Sequence, residues 1–202
     1  MSGDRYCIRR LYRSRNAYVH YDDFSFEDDW QLEVYLHALG LLVKHNLNSI
    51  IDVGCGSGRK LVTYFKNFDT LGIELPVNVE RLRQLHPNKK WRELTFTPDH
   101  HLSADCVICA DVIEHVVDPD ELVAFLKAIE FKFLVVSTPA RNLLHKKWWR
   151  REFWGPPTNE THQREWTFKE FGRYMANHFA VVDHRVTNLR EATQMVICKS
   201  SG

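Results

Sequence analysis

The chain lacks a long apolar run and an excess of charge of either sign. No stretch approaches the roughly 20 apolar residues that a membrane-spanning helix needs, and no signal-peptide pattern is seen. The 27 Lys and Arg residues nearly balance the 26 Asp and Glu residues, which gives a formal net charge of +1. Because this balance provides no chain-wide attraction to nucleic acid or anionic lipid, the composition favours a globular protein of the cytoplasm.

Cysteine is scarce, and its spacing does not match a metal site. Among the five cysteines, Cys106 and Cys109 have the CxxC spacing of many zinc and redox sites, but both lie within an apolar stretch. We therefore expect buried thiols in a reducing compartment, with neither disulfides nor a metal site. At 202 residues, the chain is long enough for one domain with a substantial core.

Glycine is also uncommon, yet three of the nine glycines alternate within one stretch. Gly54, Gly56 and Gly58 follow an apolar run at residues 49–53 that is typical of a buried strand. Residues 59–68 then have apolar side chains at helical spacing. A glycine loop between a strand and a helix lets the backbone approach a ligand at the carboxyl end of a parallel sheet.

Two other classes of glycine loop do not fit this stretch. A phosphate-binding P-loop ends in Gly-Lys-Ser/Thr, whereas this loop continues as Gly58-Arg59-Lys60 without a hydroxyl for magnesium. A dinucleotide-binding loop needs a third glycine three residues after the second, and from Gly56 that position is Arg59. A long side chain there would oppose close packing of helix on strand.

A carboxylate stands where a ribose site needs one. The next apolar strand, residues 70–75, contains Glu74 near its end, about twenty residues after Asp52. A carboxylate at this place can accept hydrogen bonds from both hydroxyls of a ribose. The alternative is a solvated charge at a strand end, and the preceding glycine loop argues against it.

The sequence resembles the seven-stranded S-adenosylmethionine-dependent methyltransferases. The loop has their Asp-x-Gly-x-Gly-x-Gly spacing, and residues 104–116 (ADCVICADVIEHV) are similar to the fourth strand and following turn of ubiquinone-biosynthesis-type O-methyltransferases. The resemblance implies an α/β, Rossmann-like fold: a mostly parallel sheet in the order 3-2-1-4-5-7-6, an antiparallel C-terminal hairpin, and helices on both faces. It also implies that S-adenosylmethionine is the cofactor, bound by Asp52, Gly54, Cys55, Gly56, Glu74, Leu75, Thr95 and Asp111.

One part of the resemblance is incomplete. These enzymes usually place an acidic residue after the third strand, against the adenine amino group. Here the strand predicted at residues 91–96 has no acid directly at its end. Thr95, Thr97 and Asp99 are the candidates for this contact.

The remaining pattern divides the chain into an arm and one domain. Residues 1–26 are rich in arginine and tyrosine and are expected to pack over the active site, whereas residues 27–202 are predicted to form the methyltransferase domain. The domain begins with an amphipathic helix predicted at residues 27–46. Its apolar face is expected to point toward the sheet and consists of Trp30, Leu32, Val34, Tyr35, Leu36, Leu39, Leu42 and Val43.

Residues 141–165, which we call the acceptor segment, lie where this family builds its acceptor pocket, as an insertion or lid. The pattern GPP.N..H.REWT..EF resembles a subgroup that acts on sugars, lipids or secondary metabolites. His162, oriented by Glu165, is the candidate general base, because a hydroxyl acceptor must lose a proton and histidine ordinarily titrates near neutral pH. His115 competes for this role, and either histidine could instead be structural. After the segment, Thr167 and Glu170 have the spacing of a capping box.

Basic and aromatic residues alternate within the acceptor segment. Residues 146–154 (KKWWRREFW) suit an anionic acceptor, peripheral contact with membrane headgroups, a small core of the lid itself, or single-stranded RNA. Taken with the arginines of the arm, they favour an anionic partner. The sequence therefore predicts O-methylation of a small molecule or glycan. Two alternatives stay open: a nucleic-acid methyltransferase, and a catalytically silent partner subunit that binds S-adenosylmethionine.

Overall fold

The computed structural model describes residues 6–15, 24, 30–95, 97–98 and 101–200. These residues contain a seven-stranded sheet in the order β3-β2-β1-β4-β5-β7-β6. Strands β1 to β5 pair in parallel, and β7 is antiparallel to both of its neighbours. The predicted fold class and strand order are confirmed. The strands are β1 (Ser49–Val53), β2 (Asp69–Glu74), β3 (Lys90–Glu93), β4 (Ser103–Ala110), β5 (Glu130–Pro139), β6 (Ala180–Asn188) and β7 (Thr193–Lys199).

Helices cover both faces of this sheet, and an apolar core lies on each face. Because alternate side chains of a strand point to opposite faces, β4 contributes Val107 and Cys109 to one core and Cys106 and Ile108 to the other. All five cysteines are buried, as predicted, and all five are free thiols. The helices are α1 (Leu32–Lys44), α2 (Arg59–Tyr64), α3 (Pro76–Leu85), α4 (Pro119–Ala128), α5 (Arg141–Leu144) and α6 (Phe168–Ala176).

The first helix is shorter than predicted, and only part of its predicted face, including Val34, Tyr35 and Leu42, is buried. It begins at Leu32, and residues 27–29 lie outside the described part of the chain. Trp30, Leu36 and Val43, expected to face the sheet, are 52%, 44% and 68% exposed. At 100° per residue, Leu36 and Val43 fall on the far side of the buried stripe. That stripe consists of Val34, Tyr35, Ala38 and Leu42.

The capping box before α6 is present as predicted. The Thr167 side chain accepts a hydrogen bond from the Glu170 backbone N–H, and the Glu170 side chain accepts one from the Thr167 N–H. Each of these bonds satisfies a backbone donor that has no partner within the helix. The box fixes where α6 begins and therefore where the acceptor segment must end.

Three parallel strands bring the predicted cofactor residues to one edge of the sheet. Strand β1 runs into the glycine loop, β2 ends at Glu74, and β4 is followed by Asp111. The loop is fastened to β2, because the Gly54 N–H donates to the Ile73 carbonyl at 2.8 Å. The carboxyl edge of the sheet is thus where a ligand site is expected. None of the helices in the described ranges combines the length and apolar character needed to cross a bilayer.

Candidate functional site

One large cavity opens at the carboxyl edge of the sheet. Its volume is about 1130 Å³, and its walls come from the glycine loop, β2, the residues after β4 and the acceptor segment. Ligand pockets commonly measure about 300–1000 Å³, so this cavity has room for a cofactor and a small acceptor side by side. The predicted site residues that line it are Gly54, Gly56, Glu74, Leu75, Asp111, His115, His162 and Glu165.

The glycine loop has a backbone conformation that other residues rarely adopt. The φ angle is +75° at Gly54 and +68° at Gly58. A Cβ on Gly54 would clash with the Val112 side chain, and one on Gly58 would stand 2.6 Å from the ring of Trp91. Both positions require glycine, because the positive φ strains larger residues and the neighbours leave no space.

Glu74 is held firmly at the cavity wall. Its Oε2 accepts a hydrogen bond from the Gly56 N–H at 2.8 Å. Its Oε1 accepts one from the Leu75 N–H at 2.8 Å and one from the Asn78 amide at 3.3 Å. Carboxylate oxygens accept more than one hydrogen bond each. A carboxylate offers about four acceptor sites in all, so a ribose hydroxyl bound at Glu74 would share them with these three donors.

Three predicted cofactor residues do not line the cavity. Asp52 is buried beneath the loop, where its Oδ2 accepts from the Tyr35 hydroxyl at 3.0 Å. Cys55 packs into the core on one face of the sheet. Thr95 is exposed, and the adjacent Leu94 lines the wall instead. The other adenine candidates do not change this: Thr97 is also exposed, and Asp99 lies outside the described residues.

Asp111 leaves β4 in an unusual conformation, with φ at +51°. Its Oδ1 accepts from the Ser137 hydroxyl at 2.5 Å, and its N–H donates to the Ser137 carbonyl at 3.2 Å. Burial raises the pKa of Asp111, and the hydrogen bond from Ser137 opposes this shift. Positive φ at a non-glycine residue beside a cavity is a common mark of a functional position.

His162 lies at the opposite end of the same cavity. Its Nδ1 is 2.9 Å from Glu165 Oε1, and its Nε2 is 3.0 Å from the Asn159 amide nitrogen. An amide nitrogen only donates, so Nε2 is the acceptor and Nδ1 carries the proton that points to Glu165. Glu165 thus orients the ring in the way that a base facing the cavity would need.

His115 and Glu114 complete this end of the cavity. The ring of His115 stands edge-on to that of His162, with centroids 4.9 Å apart, and its Nδ1 is 3.1 Å from the Thr161 carbonyl. Glu114 is fully buried, with Oε2 accepting from Thr138 at 3.0 Å and no hydrogen-bond partner at Oε1. We call Glu114, His115, His162 and Glu165 the acceptor cluster.

Burial dominates the electrostatics of the acceptor cluster. It raises the pKa of Glu114 well above its ordinary value, and nearby Asp111 adds to the effect. It lowers the pKa of His115 to about 4, helped by the proximity of His162. One oxygen or nitrogen atom from each of Glu114, His115 and His162 lies within 4.8 Å of the other two. The cluster can therefore take up a proton or hold a cation.

The N-terminal arm and a buried arginine fix the backbone of Glu165. The Tyr12 hydroxyl accepts from the Glu165 N–H at 2.8 Å, and Arg141 donates to the Glu165 carbonyl at 2.6 Å. The Arg141 guanidinium also lies 4.1 Å from the centroid of the Tyr12 ring. Residues 6–15 therefore pack behind the acceptor segment. These residues do not line the cavity, and most of the rest of the arm, predicted at residues 1–26 to pack over the active site, lies outside the described part of the chain.

The residues numbered 146–154 divide into two groups. Phe153 is buried, and the Trp154 indole donates to the Trp148 carbonyl at 2.8 Å. Trp148 and Trp149 are 63% and 65% exposed, beside exposed lysines and arginines. Of these aromatic side chains, only Phe153 fits the interpretation that they form a small core within the lid. The exposed indoles are left to face solvent or an acceptor.

Three residues of the site carry little or no signal in the sequence. Glu114 could have been found from its place beside His115 directly after β4. Asn159 and Tyr12 could not, because only tertiary contacts bring them to His162 and Glu165.

Comparison with known proteins places this geometry in context. The chain matches the family described as methyltransferase domain over residues 28–183. A search of curated protein sequences finds no match. The chain is similar to an S-adenosylmethionine-dependent methyltransferase from Clostridium acetobutylicum, with 13% identity and a TM-score of 0.62, covering 89% of this chain and 94% of that one.

Two further solved structures share the fold. Magnesium protoporphyrin IX methyltransferase from Synechocystis, solved with bound SAH, has 15% identity and a TM-score of 0.62, covering 95% of this chain and 92% of that one. The small RNA methyltransferase HEN1 has 20% identity and a TM-score of 0.61, covering 83% of this chain and 25% of that one.

Proposed function

The chain belongs to the methyltransferase-domain family, and we propose that it transfers a methyl group from S-adenosylmethionine to a hydroxyl of a small molecule or sugar. Glu74 would hold the ribose, and Gly54 and Gly56 let the backbone approach the cofactor. Asp111 would lie beside the methionyl arm. When bound, the cofactor would supply a methyl group on a sulfonium, so that the acceptor oxygen forms an O–CH3 bond as the S–CH3 bond breaks and S-adenosylhomocysteine leaves.

The acceptor cluster would take the proton of the acceptor hydroxyl. The proton would pass to His162 Nε2 when the hydroxyl takes the place of the Asn159 amide, which donates to that atom here. The electron pair of the broken O–H bond stays on the oxygen that attacks the methyl group. Glu165, 2.9 Å from Nδ1, stabilises the imidazolium that forms. Burial adds to this effect, because charge interactions are stronger away from water.

The single observation that carries this proposal is the continuity of the cavity. Glu74 and the glycine loop line the same cavity as His162 and Glu165. A silent subunit would not need an acceptor cluster with an oriented histidine. The resemblance of residues 104–116 to ubiquinone-type enzymes supports oxygen as the methylated atom.

RNA is the second candidate acceptor. Trp148 and Trp149 are exposed beside basic residues, and stacking of bases on aromatic rings with a basic surface nearby is how single strands are often bound. The similar HEN1 structure is titled a small RNA methyltransferase. The near-neutral net charge favours the small molecule.

Transfer of labelled methyl groups tests the proposal. The protein is incubated with labelled S-adenosylmethionine and, separately, with nucleotide sugars, lipid-linked sugars and single-stranded RNA. We expect label in a sugar or small-molecule hydroxyl. His162→Ala should lower turnover by about 10²–10⁴-fold, the usual contribution of a general base, and leave S-adenosylmethionine affinity unchanged.

His101→Ala is the matched control, because His101 is exposed and does not line the cavity. It should turn over normally. Label found in RNA alone would replace the proposal with the second candidate. Cofactor binding without transfer to any acceptor would instead indicate a silent subunit.

A further inference from the structure

The acceptor cluster has the arrangement of a metal site, although the cysteine pattern predicted none. Glu114, His115 and His162 offer one oxygen and two nitrogen atoms, all within 4.8 Å of one another. Among the described residues, no other group of three such side chains comes together in this way. Two imidazoles and one carboxylate are a frequent ligand set for divalent transition metals that keep a position open for substrate.

The hydrogen bonds around the three side chains support this assignment. A histidine that binds a metal usually donates its other ring N–H to a carboxylate or a backbone carbonyl. His162 does so to Glu165, with Nδ1 and Oε1 2.9 Å apart, and His115 lies 3.1 Å from the Thr161 carbonyl through its Nδ1. Both rings therefore present Nε2 with its lone pair as the ligating atom.

Glu114 provides the second, independent observation. The residue is fully buried, yet Oε1 has no hydrogen-bond partner while Oε2 is held by Thr138. A buried carboxylate oxygen without a partner is destabilising, because its lost hydration is not replaced. A cation at the cluster would offset that cost.

We propose that Glu114, His115 and His162 bind a divalent transition-metal ion at the acceptor end of the cavity. Tetrahedral ligands at about 2.0–2.2 Å from a metal are spaced by about 3.4 Å. The three atoms, within 4.8 Å of one another, need only small side-chain shifts to reach this spacing. The ion would face the cavity that also contains the glycine loop.

Asn159 caps the site in the structure described here. Its Oδ1 accepts from the N–H and the hydroxyl of Thr161 at 3.0 Å and 2.8 Å, which leaves its amide nitrogen to donate to His162 Nε2. A metal ion needs the same lone pair of Nε2. Binding of the ion therefore displaces Asn159.

The ion site is a property of the free protein, but its use in catalysis rests on the proposed function. In the metal-bound protein, His162 is a ligand, and the acceptor hydroxyl would bind the ion and lose its proton to water. Transfer of the proton to His162 is then confined to the metal-free protein.

Titration of the chelator-treated, full-length protein with Mn²⁺, followed by electron paramagnetic resonance, tests the proposal. We expect one Mn²⁺ per chain. Glu114→Gln, His115→Ala and His162→Ala should each weaken binding at least about tenfold, because even outer-sphere partners cost about 10–100-fold. His101→Ala should bind like the wild type, and Asn159→Ala should bind equally or more tightly because the competing amide is gone.

Circular dichroism and S-adenosylmethionine affinity report whether each variant is folded. Absence of Mn²⁺ binding, or binding unaffected by all three ligand substitutions, would overturn the metal site. Weaker binding by Asn159→Ala would contradict the capping role. If Mn²⁺ binds at the cluster but S-adenosylmethionine does not bind, the metal site stands and the proposed function fails.

Discussion

At the scale of single residues, position along a strand decides what a carboxylate does. Asp105, near the amino end of β4, accepts from the backbone of Asn48 at 2.8 Å and of Ser49 at 3.1 Å, and pairs with Lys132 at 2.8 Å. The Lys132 hydrogen bond, followed by the backbone donors, lowers the pKa of Asp105. The carboxylate of Glu114, beyond the opposite end, has its pKa raised by burial. The first group stabilises the sheet, and the second faces the site.

Asp105→Asn should lower the free energy of unfolding by about 1.5–3 kcal/mol at neutral pH, the range for hydrogen bonds to a charged group. Because the folded-state pKa of Asp105 is depressed, its contribution is complete above the ordinary value of about 4. It is lost as pH falls through the lower, folded-state value. Urea unfolding of both proteins at several pH values measures this. A difference in stability that stays constant below pH 4, or grows there, would contradict the role of the charge.

At the scale of elements, the acceptor segment has two parts that differ in burial and hydrogen bonding. Hydrogen bonds fix the C-terminal end of the segment. The Gln163 N–H donates to the Glu114 carbonyl at 2.7 Å, and the Glu165 backbone bonds to the side chains of Tyr12 and Arg141. Residues 146–152 are exposed. The sequence predicts a lid over residues 141–165, and the mobility of that lid stays a prediction. The structure gives the segment a buried, hydrogen-bonded end and an exposed stretch at residues 146–152, which we call the flap.

Hydrogen exchange should resolve these two parts. In the free protein, amides of residues 146–150 should exchange faster than those of residues 163–166, because the latter are buried and hydrogen-bonded. Binding of an acceptor should slow exchange in the flap most. Mass spectrometry of peptides from both parts provides the measurement. Equal exchange across the whole segment would mean that it behaves as one unit.

Features that a short sequence pattern or the family resemblance indicates could be predicted from the sequence. The glycine loop, the capping box of Thr167 and the strand order implied by the family resemblance all agree with the structure. The face of α1 was predicted only in part. Val34, Tyr35 and Leu42 are buried as predicted, but apolar Leu36 and Val43 were also assigned to the core, although the helical period places them outside. The adenine candidate Thr95 stands away from the cavity because β3 ends at Glu93, earlier than predicted.

At the scale of the whole molecule, the site is assembled from parts far apart in the chain. The cofactor end comes from the first two strands, where one glycine pattern and one carboxylate suffice to predict it. The acceptor end needs Glu114 after β4, Asn159 and His162 in the acceptor segment, and Tyr12 in the arm. These contacts join residues with no shared local pattern, so the sequence could suggest His162 and Glu165 but not their surroundings.

Calorimetric titration with S-adenosylmethionine tests the central claim, that the glycine-loop end of the cavity is the cofactor site, most directly. Glu93→Ala is the matched control, because Glu93 pairs in register with Glu74 on the next strand but is exposed and does not line the cavity. We predict micromolar binding by the wild type and by Glu93→Ala, and no detectable binding of NAD. Glu74→Ala should lose about 1–3 kcal/mol of binding free energy, and Gly56→Val should abolish binding. Unchanged affinity in both Glu74→Ala and Gly56→Val would contradict the account.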